Sequence, residues 1–289
     1  MKLSKKIVSL LTVTALVTSL TACGNSSEKS GSGSSDKKTY KMEQQDEAGY
    51  FAAMLPMRKV PSYQYRITKG KEVCTVNDPY AFPVQITEDE EKAFCAGVYY
   101  HAYEKLGAHP TEIDGVAGTS FAVWAPNAQD IYVIGEFNGW NETADKMERI
   151  GEGGIYTTFI DGVQEGQMYK YLIELADGRK LYKADPYANY AELRPGTASR
   201  VYDLNHFEWN DEKWLTARAK KDMNREPLSI YECHIGSWMK HPDGTEDGFY
   251  TYRQFADRMV EYLKEMPYTH VELMGIAEYP FDGSWGYQV

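Results

Sequence analysis

Cysteine is scarce in this 289-residue chain: there are 4, at positions 23, 74, 95 and 233, with no Cys-x-x-Cys and no paired spacing. Neither a zinc site nor a disulfide framework can be built on that pattern, and no other metal motif or cofactor fingerprint takes its place. Basic residues are also in deficit, with 31 Lys plus Arg against 42 Asp plus Glu and a formal charge of −11. A nucleic-acid binder draws its affinity from phosphate neutralisation, so this balance argues against nucleic acid as a partner. No apolar run reaches the roughly 20 residues of a membrane-spanning helix. What is abundant is tyrosine, 23 residues, with 6 Trp and a hydrophobic content of 43%. A wholly disordered chain is thereby excluded, and amphipathic rings in such number suit β-rich cores and flat-ligand surfaces.

The N-terminus carries Lys2, Lys5 and Lys6, then an uncharged apolar stretch over 7–20, then Leu20-Thr21-Ala22-Cys23. A basic start, a short apolar core and small residues at its end form the layout of a secretory signal. The last four residues resemble the lipobox of bacterial lipoproteins, which implies cleavage before Cys23, lipidation of Cys23 and attachment to a cell membrane. Loss of residues 1–22 removes three Lys and no acid, moving the charge from −11 to −14. The remaining three thiols are an odd number, which fits a reducing cytoplasm better than an oxidising compartment, so a cytoplasmic location stands as the alternative. Residues 24–38, GNSSEKSGSGSSDKK, hold no apolar side chain. They predict a flexible tether, bounded at 23–47.

Two later segments share one plan. Residues 49–82 and 154–189 each run from a Gly-aromatic strand start through a turn to Tyr-x-Tyr, a Gly-containing turn and Asp-Pro-Tyr. The matching residues are Tyr63, Tyr65 and Asp78 to Tyr80 in the first copy, and Tyr169, Tyr171 and Asp185 to Tyr187 in the second. The second copy is preceded by two alternating strands, 119–126 and 131–137, separated by a Pro-Asn turn, and so predicts an immunoglobulin-like β-sandwich over 111–210. The first copy has only the polar tether before it, and 48–86 is expected to be an incomplete β module. Between them Thr87 to Glu90 reads as a helix start, opening a helical connector over 87–110.

After a linker at 211–226 the pattern changes to strand, helix, strand. A strand at 229–235 is followed by the capping box Thr251 to Gln254, an apolar helical face of Phe255, Met259, Val260, Leu263 and Met266, a stop at Pro267, and a second strand at 269–276. That is one right-handed, parallel βαβ unit within 227–289. Its strands need further βα units to cover them.

The stretches YEKLGAHP (103–110), FAVWAPNA (121–128), FNGW (137–140), YKADPYA (182–188), RPGTAS (194–199), SIYECHIGSW (229–238), THVEL (269–273) and DGSWGYQ (282–288) resemble the 1,4-α-glucan branching enzymes, the glycogen-building members of the α-amylase-type glycoside hydrolases. The resemblance runs from Gly49 to Val289. It implies a mainly β chain: an incomplete β module, a carbohydrate-binding β-sandwich, and the truncated start of a (β/α)8 barrel, which needs about 250 residues to close. It implies retaining transglycosylation on α-glucan by a carboxylate pair roughly 5 Å apart. The family's acidic motifs lie on later barrel strands, so no catalytic residue is expected here. Departures from the family fall at Cys233, Pro267, Gly275 and Tyr279. The alternative function is an exported lipoprotein that acts only as an α-glucan-binding module.

For substrate contact the candidates are Trp140, Lys170 and Tyr287. Trp140 follows Asn138-Gly139 at a sandwich end, where an exposed indole can stack on a glucose ring. Lys170 lies between Tyr169 and Tyr171 and by alternation points away from both; it resembles the sugar-contacting Lys of related glycogen-binding modules. Tyr287 matches the aromatic residue of the family's donor-sugar subsite. Those modules carry a second Trp in the next hairpin, where this chain has Asp177-Gly178-Arg179-Lys180. Glu232 and His234 share a strand face and could form an acid-base pair, but residues there more often fix loops.

Overall fold

The computed structural model describes residues 11–17, 38–56, 63–244, 248–279 and 281–289. The N-terminal sheet has the order β2-β1-β5-β6, built from β1 (Leu11–Val17), β2 (Lys38–Lys41), β5 (Tyr63–Lys69) and β6 (Glu72–Asn77), with a small hairpin of β3 (Glu43–Gln44) and β4 (Phe51–Ala52) beside it. β1 is antiparallel to both neighbours and matches β5 along its whole length, from Leu11 opposite Lys69 to Val17 opposite Tyr63. Residues 11–17, within the apolar run of the expected signal, thus form a strand beside the first copy, which was expected to lack the strands that complete its sheet. LTVTALV is rich in β-branched residues, so one composition suits a leader core and a strand equally. The expected tether is corrected: its C-terminal part, 38–41 and 43–44, is strand. Cys23 lies outside the described residues.

Helix α1 (Glu88–Cys95) has the expected capping box between Thr87 and Glu90. The bonds from Thr87 hold the Glu90 carboxyl below the usual carboxylate range. Glu91 is buried, and its Oε1 accepts the backbone N–H of Ile155 at 3.3 Å, tying the helix to the sandwich. Ile86, Ala102, Leu106, Ala122 and Ile155 close the apolar seam between them.

The sandwich begins earlier than expected, because GAHP is strand rather than connector. One sheet, ordered β11-β12-β8-β7, comprises β7 (Gly107–Ile113), β8 (Val116–Trp124), β11 (Glu148–Ile150) and β12 (Ile155–Asp161). The other, β10-β9-β13-β16-β15 with β14 also on β13, comprises β9 (Ala128–Gly135), β10 (Asp145–Lys146), β13 (Met168–Leu175), β14 (Lys180–Lys183), β15 (Tyr190–Ala191) and β16 (Ser199–Arg200). Their inner faces meet in a core containing Phe121, Val123, Ile131, Val133, Tyr156, Tyr169, Tyr171 and Val201.

Each copy of the repeat is organised by a buried carboxylate at the corresponding position. Asp185 Oδ2 accepts the hydroxyls of Tyr169 (2.7 Å) and Tyr171 (3.0 Å), and Oδ1 accepts the N–H of Tyr187 at 2.8 Å. In the first copy Asp78 accepts the hydroxyls of Tyr63 and Tyr65 and, through Oδ1, the N–H of Tyr80 at 3.0 Å.

The expected linker contains helix α2 (Glu212–Ala219). Beyond it come β17 (Ile230–His234), the one-turn helix α3 (Ile235–Trp238), α4 (Tyr252–Glu265) and β18 (His270–Met274), with β17 and β18 parallel as expected. α4 buries Phe255 and Met259 against Cys233. The other residues of β17 and β18 are exposed or half-buried.

Burial lifts the pKa of Asp185 above the usual carboxylate range, although its tyrosine partners pull it down. The folded module therefore holds that proton more tightly than the unfolded chain. This contribution to stability is fully present below about pH 3.9 and is lost as pH rises through the raised native value. Replacing Asp185 by Ala leaves two buried hydroxyls without their acceptor and is expected to cost about 3 kcal/mol in urea unfolding at neutral pH. Across a pH series, the stability of wild type relative to Asp185→Asn is expected to fall as pH rises through the raised native value.

Candidate functional site

Alternation along β13 settles the direction of Lys170. Tyr169 and Tyr171 point into the core, so Lys170, Leu172 and Glu174 point outward. Register carries that outer face across the sheet. Ile134 lies opposite Lys170, Tyr132 opposite Leu172, and Tyr182 opposite Leu172 on the other side. Lys146 lies opposite Tyr132, its ammonium 5.9 Å from the ring centroid.

Trp140 enters from the connection between β9 and β10. Gly135 ends β9 where a Cβ would meet the Met168 carbonyl oxygen at 2.5 Å, so only glycine lets this corner approach β13. Asn138 then fixes the turn: its Oδ1 accepts the Gly135 N–H at 3.0 Å, and its Nδ2 donates to Val133 O at 2.9 Å and to Asp145 Oδ2 at 2.7 Å. Gly139 and Trp140 both adopt left-handed backbone, with φ of 62° and 60°. For an indole-bearing residue this conformation costs on the order of 1 kcal/mol, and the surrounding bonds impose it. The Trp140 N–H donates to Gly135 O at 2.8 Å, and the residue is 39% exposed. The indole is therefore presented at the rim of the sheet rather than built into the core.

Lys170 is half-buried, and its Nζ donates to Thr197 Oγ1 at 2.7 Å. The structure thus places Trp140 on the connection that leaves β9 and Lys170 within β13, which pairs with β9, and adds Thr197, which comes from the RPGTAS stretch that sequence reasoning left without a role. At the far side of the face, Lys180 Nζ meets Glu142 at 2.9 Å and Glu174 at 3.2 Å, and Tyr182 donates to Glu142 Oε1 at 2.5 Å. Those bonds hold the Glu142 carboxyl below its ordinary pKa and raise that of the Tyr182 phenol.

Tyr287 belongs to the βαβ unit, not to this sheet, and is exposed. His234 Nε2 is 2.9 Å from Trp285 O and its ring is 5.5 Å from the Trp285 ring, so it fixes the C-terminal turn as a loop anchor. Glu232 is exposed and lies opposite Glu272 on the face away from α4, two residues short of the strand ends, where barrel chemistry is carried. An open groove of about 660 Å³, lined by Tyr103, His109, Tyr187 and Tyr202 among others, includes neither Trp140 nor Lys170. Among the described residues no group of three His, Cys, Asp or Glu is arranged to hold a metal ion.

Residues 105–188, which include Trp140 and Lys170, match the family Carbohydrate-binding module 48 (Isoamylase N-terminal domain). The 1,4-alpha-glucan branching enzyme GlgB of Butyrivibrio fibrisolvens is 68% identical over 206 residues, covering 71% of this chain and 32% of that protein. The GlgB of Trichodesmium erythraeum is 40% identical over 275 residues, 88% of this chain and 35% of that protein. Among solved structures, the catalytic module of the multi-modular glycogen-degrading pneumococcal virulence factor SpuA aligns with a TM-score of 0.43 at 22% identity, over 61% of this chain and 27% of that one. The chain spans about a third of the length of the curated relatives it matches.

Proposed function

We propose that these residues are the N-terminal portion of a 1,4-α-glucan branching enzyme of glycogen biosynthesis and that their sandwich holds the α-glucan chain through Trp140 and Lys170. The observation that carries this reading is the presentation of Trp140: a half-exposed indole forced into left-handed backbone and pinned by Asn138, at the edge of the outward sheet face that carries Lys170. A strained, presented ring beside a cation suits the alternating apolar and hydroxylated faces of a sugar. The apolar face stacks on the indole while Lys170 donates to ring hydroxyls, in line with Thr197. A stacked sugar covers roughly 50 Å² of indole, worth about 1 kcal/mol at ~25 cal/mol/Å², so binding per site is weak and retention on a polymer depends on repeated contacts. Trp140→Ala is expected to lose retention in a glycogen-containing native gel while its circular dichroism and melting temperature stay near wild type. Unfolding of this variant would instead make Trp140 a core residue, and unchanged retention would remove it from the site.

Branching requires a nucleophilic carboxylate and a second carboxyl that serves as acid and then base. β17 and β18 are two strands of the eight in such a barrel, and His234 at the end of β17 is occupied by Trp285 O. This chain by itself is therefore expected to leave the iodine colour of amylose unchanged, and a reproducible loss of long-chain colour beyond a mock preparation would overturn that expectation.

We further propose, from Lys2, Lys5, Lys6, the apolar run and Cys23, that the chain is exported and anchored to a membrane by lipid on Cys23. Among the described residues no helix is long and apolar enough to cross a membrane, so attachment would rest on the lipid. Cleavage before Cys23 removes β1, leaving β2 and β5 without their shared partner. Fractionation of cells expressing wild type and Cys23→Ala is expected to find wild type in the membrane and the variant released from it. A soluble wild type that retains residues 1–22 would show that the apolar run serves as β1 instead.

A further inference from the structure

The sandwich is left open at one corner. β11 accompanies β12 only from Ile155 to Thr157, while β10 belongs to the other sheet and pairs with β9. Met147, between β10 and β11, turns into the core, where it is 3% exposed and its N–H donates to Ile131 O at 2.8 Å. From Thr158 to Asp161, β12 therefore has β8 on one side and, among the described residues, no strand on the other. The segment leaving the first copy of the repeat passes over this gap, and between the two lies a cavity of about 200 Å³ that includes neither Trp140 nor Lys170. Its size is below the roughly 300–1,000 Å³ of sites for drug-sized ligands, so it has room for one small ring and not for a length of polymer.

The cavity is apolar on one side and rich in acceptors on the other. Phe82, half-buried, packs its ring on Phe159 with centroids 4.6 Å apart. Asn77 accepts from Gln64 Nε2 at 2.9 Å and donates its Nδ2 to Asp161 Oδ2 at 2.6 Å, which holds that carboxylate across the junction. Asp145 Oδ2 accepts from Asn138 at 2.7 Å, and neither Asp145 Oδ1 nor the Thr158 hydroxyl has a hydrogen-bond partner among the described residues. Burial lifts the Asp145 carboxyl above the usual carboxylate range although Asn138 pulls it down, the condition of an acceptor short of donors. Lys146 is the cation among the lining residues, but its ammonium is committed to Asp130 at 2.7 Å, beside the Tyr132 ring on the outer face of the other sheet. The absence of a cation facing the cavity argues against a phosphate or carboxylate ligand. No group of three His, Cys, Asp or Glu among the described residues is arranged for a metal ion. A neutral ring with apolar CH faces and hydroxyls around its edge fits both walls. We propose that this cavity is a sugar site separate from the Trp140 and Lys170 face, and that it takes one hexopyranose ring, as free hexose or as the terminal unit of a glucan. The CH face of the ring packs on Phe82, while its hydroxyls donate to Asp145 Oδ1 and Asp161 and meet the Thr158 hydroxyl. Phe82 ends the first copy and Asp145 and Thr158 belong to the sandwich, so a bound ring also ties the two together.

The test uses the full chain, as wild type, Thr158→Val, Asp161→Asn and Trp140→Ala, with D-glucose as the probe in saturation-transfer difference NMR and circular dichroism as the check on folding. Glucose is expected to bind wild type and Trp140→Ala alike. Thr158→Val is nearly isosteric and loses one hydroxyl partner, and is expected to weaken glucose about fivefold. Asp161→Asn removes a charged acceptor and is expected to weaken it about tenfold. Maltoheptaose and β-cyclodextrin, an α-1,4-glucan closed into a ring without an end, distinguish the two sources of the sugar in Trp140→Ala. Displacement of glucose by maltoheptaose alone assigns the cavity to chain ends, and displacement by neither assigns it to free hexose; both results uphold the site. Displacement by β-cyclodextrin would overturn it, because a closed ring of glucose units does not enter a cavity of this size. No glucose binding by wild type, its loss in folded Trp140→Ala, or wild-type affinity in folded Thr158→Val and Asp161→Asn would each overturn the proposal. Binding of butylammonium in place of glucose would assign the acceptors to a cation and overturn it as well. Should Asp161→Asn fail to fold because its bond to Asn77 weakens, Thr158→Val decides. Unchanged retention of Trp140→Ala on glycogen would remove the sheet-face site and leave this one standing, so the two are judged separately.

Discussion

Asp185 takes two tyrosine hydroxyls and a backbone N–H into a site that water does not reach, and the rest of the sandwich is arranged around that constraint. A buried carboxylate is tolerable only when its lone pairs are occupied, so Tyr169 and Tyr171 must both point inward. Once they do, the residue between them can only point outward. The direction of Lys170, the outer position of Leu172 and the face on which Tyr182 lies all follow from one buried acid. The same arrangement at Asp78, with Tyr63 and Tyr65, shows that the repeat in the sequence is a repeat of this hydrogen-bond unit.

The outward face illustrates how a binding surface can be assembled without a cavity. Its residues arrive from three directions: Trp140 and Glu142 from the β9–β10 connection, Lys170 from mid-strand, and Thr197 from the turn before β16. Asn138 and Glu142 anchor the connection at its root and at its far point. Between those anchors Trp140 sits in backbone geometry that a free loop would leave. The strain is local, and the two anchors hold it.

The βαβ unit obeys a different logic. Parallel strands need cover on both faces, and α4 covers one, through Phe255 and Met259 on Cys233. The opposite face carries Glu232 against Glu272, like charges side by side in a sheet of two strands. Such a face becomes stable only when further elements contribute partners to it.

Periodicity and capping chemistry determined much of this from sequence. Thr87 and Thr251 with Glu90 and Gln254 marked two helix starts, because capping is a contact three residues long. The alternation around Tyr169 and Tyr171 fixed the face of Lys170, and Asn138-Gly139 announced the turn that presents Trp140. These signals are local, so one sequence carries them completely. The tertiary structure decided what depends on pairing across the chain. Residues 11–17 fit a leader core and a strand alike, and their register with β5 is a long-range pairing that composition does not reveal. Glu142 is an unremarkable acid in a polar loop until the loop crosses two strands to reach Tyr182, a contact separated by 40 residues. Alternation tells which way a side chain points but not which loop will pass over it, and that is why the clasp was invisible until the sheet order was known.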